Sequence, residues 1–147
     1  MTAGAGFLLA VLWFDLMFDA QALRRRGSAV PDEALASIAA YYARVTTGAR
    51  PMNRLVAVVM LATIAAVVVE IAAGLDPAWL PWVSLVAIAG PVGLAARRTV
   101  PAAVRLGTRR DDVGEQSRLA RTILADHLRC FAAVSVLLLL QLGAAAA

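Results

Sequence analysis

Six ionisable side chains lie within or at the edges of long apolar runs: Asp15, Asp19, Glu70, Asp126, His127 and Arg129. Ionisable groups are expensive in hydrocarbon, so they mark proton relays, binding or catalysis, or else pairs that fix packing. Asp15 and Asp19 are four residues apart and share one helical face. Asp15 is the deeper of the two, flanked by Leu12, Trp13, Phe14 and Leu16. Asp15, Asp19 and Glu70 are therefore candidates for a proton or ion path. His127 is the chain's only histidine, and with Asp126 or Asp19 to orient it, it is the candidate acid–base group for catalysis. Each residue has a structural alternative. Asp19 can pair with Arg54 or with Arg24, Arg25 or Arg26. Asp126 can pair with Arg129 three residues on, and Glu70 can reach the outer headgroups.

No metal or cofactor is expected. His127 and Cys130 fall roughly on one helical face, but the multi-helix Glu-x-x-His or His-x-x-x-His pattern of helix-borne metal sites is missing. The chain carries no phosphate-binding glycine loop, no Cys-x-x-Cys pair and no nucleophile elbow. Its single cysteine cannot form an internal disulfide.

The apolar runs that hold these residues define the class. Of 147 residues, 61% are hydrophobic and 16% charged, against about half and about a quarter in soluble domains. That balance excludes a disordered tail, a disulfide scaffold and a soluble enzyme, and the length suits one integral membrane domain over 1–147. About 20 apolar residues cross a bilayer as a helix. Four stretches qualify, at about 3–20, 55–73, 79–96 and 124–145. Met1 to Gly6 carry no positive charge, so the first span is expected to be a permanent helix rather than a cleaved signal.

All 14 basic side chains are arginine. Thirteen of them fall between spans one and two or between spans three and four, and Arg129 sits at the inner end of span four. The positive-inside rule then places both long loops in the cytoplasm and both termini outside. Asp19, Asp126 and His127 should share a depth. A cluster of Asp15, Asp19, Asn53, Arg54, Asp126, His127 and Arg129 follows if spans one, two and four adjoin. The arginines are expected to meet anionic lipid headgroups rather than nucleic acid.

The first loop predicts a helix of its own. Pro31-Asp32-Glu33 is a start signal, and Leu35, Ile38, Tyr42 and Val45 recur at helical spacing, suiting an amphipathic segment along the inner membrane surface. Asp111 and Asp112 can cap a helix that runs through Gln116, Leu119 and Ile123 into span four. Trp79 and Trp82 mark an outer aromatic belt, and Gly90-Pro91 should kink span three. The expected fold is all-α, a transmembrane four-helix bundle with both termini outside and an amphipathic cytoplasmic loop helix.

The stretches from Leu12 to Asp19, from Tyr41 to Thr47, from Ala49 to Leu55 and from Asp126 to Leu128 resemble those of small four-span integral membrane proteins of actinobacteria. That resemblance covers most of the chain and implies a fold and a bacterial cytoplasmic membrane, but no activity. Asp15 is also similar to the one carboxylate that small multidrug transporters carry in their first helix, although their loops are shorter. Three functions compete. The leading expectation is an accessory, scaffolding or lipid-binding subunit, alone as a homo-oligomer or within a larger membrane complex. A proton-linked transporter or channel would use Asp15. An intramembrane enzyme on a lipophilic substrate would use His127 with a carboxylate.

Overall fold

Each helix starts and stops on local chemistry. The computed structural model describes residues 1–23, 29–48, 50–74 and 76–146, and of Arg50 only the backbone. Helix α1 runs Thr2–Asp19 and closes in a 3-10 turn, Ala20–Leu23. Pro31 precedes α2, Asp32–Tyr42, whose first turn carries Asp32 and Glu33 at the positive end of the helix dipole. A wider π-type turn, Ala43–Gly48, follows. Helix α3, Arg50–Ala72, ends at Gly74, whose φ of 62° is open to glycine at no steric cost. Helix α4, Trp79–Leu94, contains Pro91 and passes through a π-type turn, Ala95–Thr99, into α5, Val100–Gly107. Helix α6, Val113–Ala146, starts where Asp112 Oδ1 accepts the Glu115 amide at 2.9 Å, the cap expected from Asp111-Asp112.

Four helical stretches are long and apolar enough to cross a membrane: Thr2–Leu23, Pro51–Ala72, Trp79–Gly107 and Val113–Ala146. No strand occurs among the described residues. The third stretch is longer than expected, because the chain stays helical through Arg97 and Arg98 instead of leaving the helix near Ala96. The four pack in a ring in the order α1, α6, α4, α3, with α3 closing back onto α1. Helices α3 and α4, joined by the short Gly74–Ala78 connection, lie side by side as expected. Among the described residues α3 and α6 lie on a diagonal of the ring. Gly4 permits the closure of the ring, since a Cβ there would overlap Thr63 Oγ1 of α3.

Two apolar cores result. One lies inside the ring and joins Ala5, Leu8, Val67, Ile88, Val134 and Leu137. The other lies at the arginine-rich end, where Leu35, Ile38, Ala39 and Tyr42 of α2 meet Ala103 and Leu106 of α5 and Leu119, Ala120 and Ile123 of α6. The apolar face of α2 is thus sealed against protein, not laid on the membrane surface: Leu35 and Ile38 are fully buried. Gly107 brings α5 within 3.0 Å, measured from a would-be Cβ, of the backbone nitrogen of Ala43, just past the end of α2. The outward faces of the ring are apolar. Val86 is 74% exposed, and Leu61, Val69 and Leu139 are open to a similar degree. Apolar surface of that extent suits hydrocarbon as its solvent.

The second core predicts its own sensitivity. Ile38→Ala should lower stability by about 2–5 kcal/mol, whereas the outward Val86→Ala should change it by about 0.5 kcal/mol or less. Denaturation of the detergent-solubilised protein measures both. Equal effects would mean that α2 is not packed as described.

Candidate functional site

The seam between the two cores holds the polar residues. The end of α1 supplies Asp15 and Asp19, the end of α2 supplies Tyr41 and Tyr42, and the middle of α6 supplies His127. Asp19 is wholly buried. Its Oδ1 accepts the Tyr42 hydroxyl at 2.6 Å, and its Oδ2 lies 2.6 Å from His127 Nδ1. With Asp19 as acceptor, the proton sits on Nδ1 and the other ring nitrogen, Nε2, turns toward Asp15. Nε2 is 3.9 Å from Asp15 Oδ2, too far for a hydrogen bond. Asp15 Oδ1 accepts the Tyr41 hydroxyl at 2.6 Å. Tyr41 stacks on Phe18 of α1 with ring centroids 4.1 Å apart, which fixes the phenol over the carboxylate.

A second, separate group surrounds Asp126, also wholly buried. Asp126 Oδ1 accepts Arg129 Nη1 at 2.9 Å, three residues on along α6. Its Oδ2 meets Arg98 Nε at 3.2 Å and the Thr99 hydroxyl at 3.3 Å. Two cations and a hydroxyl answer one carboxylate here, so the geometry is that of a structural clamp between α6 and the α4–α5 junction. Asp126 and His127 share a depth but project in different directions, being one residue apart on a helix.

The sequence-based cluster is therefore brought together in part. Asp15, Asp19 and His127 converge. Asp126 and Arg129 pair with each other but do not join them. Asn53 turns away and donates to the Thr46 carbonyl at 2.8 Å, and Arg54 is exposed. The reason is where these two side chains lie: Asn53 is spent on the backbone of the turn after α2, and Arg54 stands on an exposed part of α3. Arg24, Arg25 and Arg26, the other suggested partners of Asp19, lie outside the described residues. Glu70 is part-buried near the far end of α3. With Gly4 abreast of Thr63, Glu70 lies about 27 Å along the bundle axis from the level of Asp15. Tyr41 and Tyr42 were legible only as an interfacial aromatic and an apolar-face residue, while Arg98 and Thr99 carried no signal beyond loop charge.

The tyrosines lie on α2, outside the spans. Burial first, and then the carboxylates of Asp15 beside Tyr41 and Asp19 beside Tyr42, push both phenols well above the ordinary tyrosine range. Both therefore act as hydrogen-bond donors at neutral pH. Among the described residues no group of three or more His, Cys, Asp or Glu side chains is arranged so that it could hold a metal ion. Compared with known proteins, the chain matches no family model, no curated protein and no solved structure.

Two outcomes follow from this geometry. Tyr42→Phe strips a donor from a wholly buried carboxylate and should lower stability by about 1–3 kcal/mol. Tyr41→Phe, beside the less buried Asp15, should have the smaller effect in the same denaturation experiment. The second outcome uses the fact that the chain has only two tyrosines. A phenol whose folded pKa is raised contributes stability in full below the unfolded value of about 10 and loses it as pH rises further. Phenolate absorbance should thus develop only together with loss of helical circular dichroism. Phenolate forming at the ordinary tyrosine pH in a protein that stays folded would contradict the buried pairs.

Proposed function

We propose that this chain is a small multi-pass enzyme of the bacterial cytoplasmic membrane, with both termini outside, that moves a proton on a lipophilic substrate. One observation carries the reading: His127 Nδ1 is 2.6 Å from the buried Asp19, while Nε2 turns to the less buried Asp15. A carboxylate that orients one imidazole nitrogen leaves the other to act as base and then acid. Asp15, the second carboxylate, is held by Tyr41 and stands where it can exchange a proton with the substrate. The side chains of Asp15 and His127 keep 15% and 11% of their surface exposed, against none for Asp19.

The route to the site favours a substrate dissolved in the bilayer. Trp13, Phe14 and Met17 flank Asp15 on α1, Leu128 follows His127 on α6, and all four are at least half exposed. Trp13 and Phe131 bridge these two helices with ring centroids 6.4 Å apart. The α1–α6 seam is therefore the entrance a lipophilic molecule would use. The accessory reading draws support from Asp126, which is held by arginines, but Asp15 and Asp19 are bonded to tyrosine and histidine instead. The inside topology is supported by the arginines, which gather at the end of the bundle where α2 and α5 lie.

Incubation with a total lipid extract of actinobacterial membranes in deuterated water tests the reading. With the wild-type protein in nanodiscs, at least one extract component should take up deuterium or change mass. His127→Gln should slow this by about 100-fold or more, and Asp19→Asn should also slow it. Identical extract masses with and without protein would sink the enzyme reading. Proton flux into liposomes that depends on Asp15 would then favour transport, and a co-purifying membrane partner would favour the accessory role.

A further inference from the structure

A cavity of about 450 Å³ opens on the other side of α6, lined by Arg98, Ser117, Arg118, Arg121, Thr122 and Ala125 among others. Residues 118, 121, 122 and 125 recur at helical spacing and form one stripe. His127 lies two residues past Ala125, about half a turn around the helix. The cavity is thus a different site from the acid–base group, and nothing below depends on how that group is read.

Three guanidinium groups line this cavity, and the carboxylates near it are already shared. Glu115 takes both Arg118, at 2.6 Å, and Arg105, at 3.0 Å. Asp126 takes both Arg98 and Arg129. Arg118 spends Nε and Nη2 on Glu115, and Arg98 its Nε on Asp126, so each of these two keeps further N–H donors of its five. Arg98 and Arg118 remain half or more exposed while making those pairs. The cavity is therefore positively charged and rich in forked donors. Thr122 stands in the same wall. Its position along α6 is equally specific. The stripe ends one turn before the dense apolar stretch that starts at Cys130, so it falls at the depth of lipid headgroups when that stretch lies in hydrocarbon. Ala125 makes the membrane-side wall small and apolar.

We propose that this cavity binds a phosphate group, that of an anionic membrane lipid, between Arg98, Arg118 and Arg121. Paired planar forks match the oxygens of a phosphate. A diffuse basic surface would attract anionic lipid anywhere along the loops. A built site instead concentrates binding in these three residues and in one lipid per chain.

Native mass spectrometry of the full-length protein in detergent tests this, with phosphatidylglycerol and phosphatidylcholine added separately. Wild type should retain one phosphatidylglycerol in preference to phosphatidylcholine. Arg118→Gln combined with Arg121→Gln should weaken that retention about tenfold, with the helical circular dichroism unchanged. Arg97→Gln combined with Arg110→Gln, which removes the same charge from exposed positions outside the cavity, should leave it intact. Inorganic phosphate as competitor identifies the source. If it fails to displace the lipid, the acyl chains belong to the ligand; if it displaces the lipid, the cavity reads a phosphate whether free or lipid-borne. Equal retention of both lipids, or equal losses in the two double variants, would overturn the proposal.

Discussion

Burial of Asp19 is the constraint from which the arrangement around it follows. A carboxylate removed from water is tolerated only when strong donors replace its hydration. Those donors come from two other helices: the Tyr42 hydroxyl of α2 and Nδ1 of His127 on α6. The ends of α1 and α2 and the middle of α6 must therefore meet at one point. Once Tyr42 is fixed, its neighbour Tyr41 is fixed as well. Asp15 lies one helical turn back from Asp19, so adjacent tyrosines on α2 answer two carboxylates one turn apart on α1. The rings meet edge to face, with centroids 5.3 Å apart, which lets both hydroxyls point at α1.

The same seam explains why three buried or part-buried aspartates hold different neighbours. Asp126 faces the junction of α4 and α5, where Arg98 and Thr99 emerge, and is held by two arginines. Opposite charges on two elements suit a clamp. Asp15 and Asp19 face α2 and His127, where the partners are neutral phenols and a titratable ring. Two roles for one residue type thus come from which helix each aspartate faces.

Much of this was legible in the sequence. Hydropathy located all four long helices, because apolar runs of that length have few other uses. Pro31 and the Asp111-Asp112 pair marked the starts of α2 and α6, because capping is local. The convergence of Asp15, Asp19 and His127 was also within reach, since depth along a span follows from counting residues. Neighbour order was not. Nothing in the runs 55–73 and 124–145 says that α3 lies diagonally from α6, and so Asn53 and Arg54 were drawn into a cluster they do not join. The position of α2 was hidden for a related reason. An apolar stripe of Leu35, Ile38 and Tyr42 satisfies a membrane surface and a protein groove equally well, and the groove exists only because α4 continues helically into α5. Tyr41 and Tyr42 were then read as aromatics rather than as donors.

The seam site lies between the two apolar cores. Toward the far end of the bundle the interior is filled by Leu8, Val67, Ile88, Val134 and Leu137, all nearly or fully buried. Polar side chains recur beyond them, as where Gln141 donates to Ser84 at 2.9 Å, but that part-buried pair ties α6 to α4. A proton leaving Asp15 in that direction meets close-packed hydrocarbon, which offers no acceptor, and Glu70 is too distant to relay it. Asp15 and His127 keep only 15% and 11% of their side-chain surface exposed. Transport would need the five apolar side chains of that core to part.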